Sequence, residues 1–163
     1  MLDIGLLAAG DWDAVRAIYV EGIAGRQATF ETAAPSAEAW DAAHLPAPRL
    51  AARRDGRLVG WAALSPVSRR AVYAGVAEVS LYVAGSARRC GVGRALLAEL
   101  VPRSEAAGLW TLQAGILAVN QASLRLFAAG GFREIGRRER IGRLDGVWHD
   151  VVLMERRSPL VGR

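Results

Sequence analysis

The segment Glu78-Val79-Ser80-Leu81-Tyr82-Val83, then Ala84-Gly85-Ser86-Ala87, then Arg88-Arg89-Cys90-Gly91-Val92-Gly93-Arg94, passes from one periodicity to another. Val79 to Val83 is rich in β-branched and aromatic residues and predicts the end of a strand that begins near Tyr73. From about Gly93 to Ala107, Leu96, Leu97, Leu100 and Val101 fall on one face of a helix, which Gly108 stops. The loop between them, Ala84 to Val92, carries glycines that let main chain approach a ligand closely. Unpaired N–H groups in the helix's first turn, at the positive end of its dipole, make an anion site there. A pyrophosphate suits it.

Downstream, Trp110 to Ile116 reads as a strand, and Asn120 caps a helix that reaches Ala129. Gly130-Gly131 ends that helix before Phe132. A hairpin pair then runs from Phe132 to Arg140 and from Val147 to Glu155 across Asp145-Gly146. Upstream, Leu50 to Arg54 and Arg57 to Leu64 are strands joined at the Asp55-Gly56 turn, and Ser65 to Arg70 is a loop. Asp11 is expected to cap a helix running to about Ile23, with Trp12, Val15, Ile18 and Tyr19 near helical spacing. After the loop Gly25 to Pro35, Ser36 caps a short helix through Trp40, and Pro46 and Pro48 close it. Strand, helix, strand, helix and hairpin in that order predict an α/β fold, a mixed central sheet flanked by helices with the parallel βαβ part in the middle of the chain.

The chain has 163 residues, 52% of them hydrophobic, enough for one domain spanning 1–163 with its own core. Neither a linker nor a repeat divides it. One Cys cannot form an internal bridge, and with two separate His residues it provides no metal-ligand cluster. Apolar runs stop well short of the about 20 residues needed to cross a bilayer. The N-terminus Met1-Leu2-Asp3-Ile4 does not read as a signal peptide, so a cytoplasmic protein without membrane contact is expected. All 21 basic residues are Arg and the net charge is +5, which fits either a solvated surface or attraction to a polyanion. The Arg residues are scattered without an aromatic-interleaved stripe, so a phosphate-bearing cofactor is favoured over nucleic acid.

Three phosphate-binding designs compete for the glycine loop. A triphosphate loop needs Gly-Lys-Ser/Thr, and the chain has no Lys. A dinucleotide site needs a third glycine and a ribose-binding acid, but those places hold Leu96 and Gln113. The third pattern, Arg/Gln-x-x-Gly-x-Gly/Ala, is met by Arg88-x-x-Gly91-x-Gly93. It is followed by Asn120-x-x-Ser123-x-x-Leu126 and by Gly131-Phe132. Together these motifs resemble the GNAT N-acetyltransferases over nearly the whole chain. Ala28-Thr29-Phe30-Glu31, Val72-Tyr73, Ala77 to Val83 and Gly146-Val147-Trp148-His149-Asp150-Val151 resemble, more narrowly, the phosphinothricin acetyltransferase branch, whose members acetylate amino acids and close analogues.

The resemblance implies splayed parallel strands and acetyl-CoA as cosubstrate. Leu81, Tyr82 and Val83 would pair with its pantetheine through main-chain groups. Arg88 opens the motif, and Arg89, Cys90, Gly91, Val92, Gly93 and Arg94 would hold the pyrophosphate. Asn120 and Ser123 would touch the cofactor, and the Val83 amide is the implied oxyanion donor. Glu78, an acid in an otherwise apolar strand, is the candidate general base, because an ammonium must lose a proton before it can attack a thioester. The alternative for Glu78 is a strand-edge ion pair with an Arg. Phe30, Arg70, Tyr73, Trp148 and His149 are the implied acceptor contacts, with Arg70, or Arg69 in its place, clamping a carboxylate.

One departure stands out: Phe127 occupies the place where many relatives carry a Tyr or His that protonates the leaving thiolate, and a phenyl ring has no proton to give. Water, Ser123, Tyr82 or His149 would substitute, or the thiolate leaves bare. With no Cys or Ser in a nucleophile setting, direct attack in a ternary complex without a metal is expected. The branch further implies a homodimer. Other amine acceptors (a protein N-terminus, an aminoglycoside or a polyamine) and a non-catalytic acyl-CoA-binding module are the competing readings. An acidic acceptor groove favours a cation; inward Arg residues favour a carboxylate.

Overall fold

In the computed structural model, which describes residues 1–163, the strands are β1 (Leu2–Leu6), β2 (Leu50–Arg54), β3 (Arg57–Pro66), β4 (Val76–Val83), β5 (Thr111–Leu117), β6 (Arg133–Leu144) and β7 (Val147–Arg157). They form one sheet in the order β1-β2-β3-β4-β5-β7-β6. The helices are α1 (Trp12–Ala24), α2 (Ala37–Ala43), α3 (Val92–Ala106) and α4 (Gln121–Ala129). Only β4 and β5 pair in parallel; every other neighbour pair is antiparallel. The crossover between β4 and β5 is α3, as a parallel pair requires.

Each sheet face is closed by different helices. On one, Leu96, Leu97 and Leu100 of α3 and Phe127 of α4 join Leu50, Leu64, Val79, Leu112 and Val152 in the larger core. Fully burying each such leucine contributes about 1.5–3 kcal/mol. On the other, Val15 and Ile18 of α1 and Trp40 of α2 pack on Trp61 and Ala63 of β3. Alternation along β4 therefore sends Val79 and Leu81 into the α3 side, and Glu78, Ser80 and Tyr82 to the opposite face. No helix is long and apolar enough to cross a membrane.

Several boundaries differ from the sequence reading. β1 was not anticipated; it is a short edge strand defined by its pairing with β2 from Leu2↔Arg54 to Leu6↔Leu50. Asp11 does not cap α1 with its side chain. Its carboxylate instead accepts from the Ala8 N–H at 2.7 Å and pairs with Arg53, while a single 3₁₀ turn, Ala9–Asp11, leads into the helix. The strand expected from Tyr73 starts at Val76, because Ala71–Tyr73 forms another such turn. β6 continues beyond Arg140 to Leu144 through a register shift between Arg138 and Gly142. Ser36 and Asn120 cap as expected, accepting from the Ala39 and Ser123 amides.

His44 follows α2 with Nδ1 2.6 Å from the Trp40 carbonyl oxygen and its ring 4.3 Å from the Trp40 ring. Burial pushes its pKa below the ordinary 6.5. The unfolded chain therefore takes up this proton first as pH falls, so the stability from neutral His44 is present above about pH 6.5 and is lost as pH drops through the folded value. The melting temperature should decline on acidification from pH 6.5, more steeply in the wild type than in His44→Gln. Parallel profiles for the two proteins would contradict this.

Candidate active site

β4 and β5 pair only from Val76↔Thr111 to Glu78↔Gln113. Beyond that, β4 stays with β3 up to Gly60↔Val83, and β5 stays with β7 up to Leu117↔Val151, so the two central strands part. The Ala84 N–H donates to the Val59 carbonyl at 2.8 Å. Antiparallel alternation from that bonded pair turns the N–H and C=O groups of Leu81 and Val83 away from β3 and into the gap. The gap opens into a cavity of about 420 Å³. Glu78, Ser80 and Tyr82 of β4 line it with Gly115 and Ile116 of β5, Thr29, Phe30 and Glu31 of the loop after α1, Tyr19 of α1, and Asn120, Ser123 and Phe127 around α4.

At the far end of β4 the chain turns sharply. The Gly85 N–H donates to the Glu21 carboxylate at 2.6 Å, tying this turn to α1. Arg88 folds back with its Nε 3.4 Å from the Val83 carbonyl oxygen. Arg89 and then Gly91 take left-handed backbone, φ 59° and 78°, and Gly91 is the N-cap of α3. A Cβ at Gly91 would touch nothing within 4 Å, so conformation rather than crowding calls for glycine. A Cβ at Gly93 would lie 3.1 Å from Leu126 Cδ2, which marks how closely α3 meets α4. Arg88, Arg89, Cys90 and Arg94 are exposed. None of these three arginines joins any of the chain's ion pairs. Their charge adds to the positive end of α3.

Glu78 is half-buried on the cavity wall, and the ion pair with an Arg considered from sequence is absent. Glu31 is the other charged group on the wall; no Arg lines it. Burial pushes the Tyr82 phenol well above its ordinary value, with the nearby Tyr19 adding to the effect. Tyr19 is raised too, chiefly by burial. The two rings meet edge to face at 4.8 Å. Both phenols therefore stay neutral and protonated at physiological pH. Phe127 is 4% exposed and packs edge to face on Phe132 at 5.0 Å, so that part of the wall is carbon. Asn120 spends its side-chain oxygen on the Ser123 amide at 3.2 Å.

The residues expected around the acceptor divide into two groups. Phe30 lies on the cavity wall and packs 6.2 Å from His149. His149 shares the face of β7 that Val151 presents to the cavity. Trp148 alternates to the opposite face, is 55% exposed and lies under the Arg143 guanidinium at 5.8 Å. Arg70 stacks over Tyr73 at 5.5 Å; both are exposed and neither lines the cavity of this chain. The wall also includes Tyr19, Thr29, Glu31, Ser65 and Gly115, to which sequence reading assigned no role. Tyr19 reads as a packing position of α1, and the only signal for Thr29 and Glu31 is the run Ala28 to Glu31 itself.

Comparisons with known proteins agree with this geometry. The sequence profile of the Acetyltransferase (GNAT) family matches residues 12–132. The chain is 37% identical to a phosphinothricin N-acetyltransferase of Alcaligenes faecalis, over 90% of this chain and 77% of that protein. It is 32% identical to an L-methionine sulfoximine/L-methionine sulfone acetyltransferase of Pseudomonas aeruginosa, over 82% of this chain and 73% of that protein. The crystal structure of a GNAT superfamily phosphinothricin acetyltransferase from Sinorhizobium meliloti in complex with AcCoA superposes with a TM-score of 0.88 at 30% identity, covering 96% of this chain and 88% of that one.

Gly91→Ala adds a side chain where only backbone strain opposes it. It should cost about 1–2 kcal/mol of stability, lowering the melting temperature by a few degrees. The same strain should weaken acetyl-CoA binding measured by calorimetry. An unchanged melting temperature and affinity would show that the left-handed cap does not matter.

Proposed function

The chain belongs to the GNAT acetyltransferase family and is an acyltransferase, and from that premise we propose that it transfers acetyl from acetyl-CoA to the α-amino group of a small amino acid or analogue of the phosphinothricin, methionine sulfone or methionine sulfoximine type. The observation that carries the reading is a carboxylate without an ion-pair partner, Glu78, on the wall of a cavity that opens into the gap between β4 and β5. The neighbouring loop suits the cosubstrate: three arginines outside every ion pair and the left-handed Gly91 stand at the start of α3.

Acetyl-CoA supplies an acyl carbon activated by a thiolate leaving group. The protein's part is binding and proton handling. Arg88, Arg89 and Arg94 and the amides from Cys90 to Gly93 hold the pyrophosphate. The main chain of Leu81, Tyr82 and Val83 pairs with the pantetheine, with Asn120 and Ser123 beside it. The Val83 amide, facing the gap, donates to the carbonyl oxygen as it gains charge. Glu78 accepts a proton from the substrate ammonium, directly or through one water. The freed nitrogen pair forms the N–C bond, the C–S bond breaks, and its electrons leave on sulfur. Phe127 gives that sulfur no proton, so it departs as thiolate or takes one from water or a cavity hydroxyl. Phe30 and His149 bound the acceptor. The reading includes a homodimer, supported by apolar residues left exposed on the terminal hairpin, among them Val147 and Trp148.

One feature favours a second reading. The only charged residues on the cavity wall are Glu31 and Glu78, and such a wall attracts a cationic acceptor such as a polyamine more than a carboxylate. Thiol release from acetyl-CoA separates the two. Methionine sulfone or phosphinothricin should be turned over and spermidine should not; the reverse would replace the acceptor and keep the family. Glu78→Gln should lower kcat by about a hundredfold or more while acetyl-CoA affinity changes less than about twofold. Full turnover in that variant would remove Glu78 from the mechanism.

A further inference from the structure

We propose that Gly115 is a positioning residue for the reaction: by presenting no side chain, it leaves the space across the parted strands in which the Glu78 carboxylate lies. The proposal rests on Glu78 acting as the base. Glu78 and Gln113 form the last pair before β4 and β5 separate, and Gly115 is the next β5 residue on the same face. A Cβ built at Gly115 would lie 3.2 Å from Glu78 Oε1, a crowded approach. It would lie 3.5 Å from Val151 Cγ1 and 3.9 Å from Leu153 Cδ2, both ordinary contacts.

The backbone does not explain this glycine. Gly115 is not among the positive-φ residues, and it pairs in regular register with Leu153 of β7. Glycine in a strand interior weakens it by entropy and lost packing, so its compensating value lies in space. The space is taken up by one group, the carboxylate, while the hydrocarbon neighbours leave room for a methyl. Alanine at this position therefore acts selectively on Glu78. Its methyl pushes the carboxylate aside by a few tenths of an ångström, away from the position it holds across the gap.

Gly115→Ala, Glu78→Gln and the double variant form the test, read by kcat, acetyl-CoA affinity and melting temperature. Gly115→Ala should melt at or above the wild-type temperature and bind acetyl-CoA within about twofold of wild type, yet lose about tenfold in kcat. In the Glu78→Gln background the same alanine should change kcat by less than about twofold, because neighbours that act as a unit are not additive. An equal loss in both backgrounds, an unchanged kcat, a loss of acetyl-CoA affinity matching the loss of kcat, or a melting temperature several degrees lower would overturn the role of Gly115. If Glu78→Gln retained full turnover, the base assignment itself would fall, an outcome distinct from the others.

Discussion

The parting of β4 from β5 after Glu78↔Gln113 is the constraint around which the molecule is arranged. Two central strands that separate leave main-chain donors and acceptors facing each other across a gap, and such groups are costly unless something bonds them. The sheet tolerates the separation because each strand keeps its outer partner: β3 holds β4, and β7 holds β5. The larger core, with α3 and α4, closes one face beneath the gap, and α1 with Trp40 and Trp61 closes the other. The opening is thus a fixed property of the packed fold, and it places Leu81, Val83 and Glu78 at one cleft.

Charge is sorted along that cleft. Arg88, Arg89 and Arg94 stand without carboxylate partners at the start of α3, whereas the cavity on the far side carries Glu31 and Glu78 among neutral hydroxyls. Other arginines are engaged structurally: Arg156 with Glu105, Arg137 with Asp150, Arg49 with Asp41. The net charge of +5 therefore says less than its distribution. One end of the cleft attracts negative charge and the other positive charge.

Local chemistry explains what was legible in the residues. Asp55 and Gly56 both adopt positive φ, as a tight hairpin requires, and the Ser36 and Asn120 caps are short-range devices visible in a few letters. The strand, glycine loop and helix from Val76 to Ala106 were readable because a period of two gives way to a helical one. What escaped was set by distant partners. β1 exists through its pairing with β2, and Asp11 turns from its own helix to Arg53. Tyr19 is a core position by spacing and a cavity position by geometry. Trp148 and His149 are adjacent letters but occupy opposite faces, and only the register of β7 decides which one meets Phe30.

The bond from Gly85 to Glu21 has a mechanical side. Tyr19 and Glu21 belong to the same helix, one lining the cavity and the other holding the turn that leads to the arginine loop. One helix thus braces both the cavity wall and the turn that leads to α3, joining parts of the cleft that lie 64 residues apart in the chain.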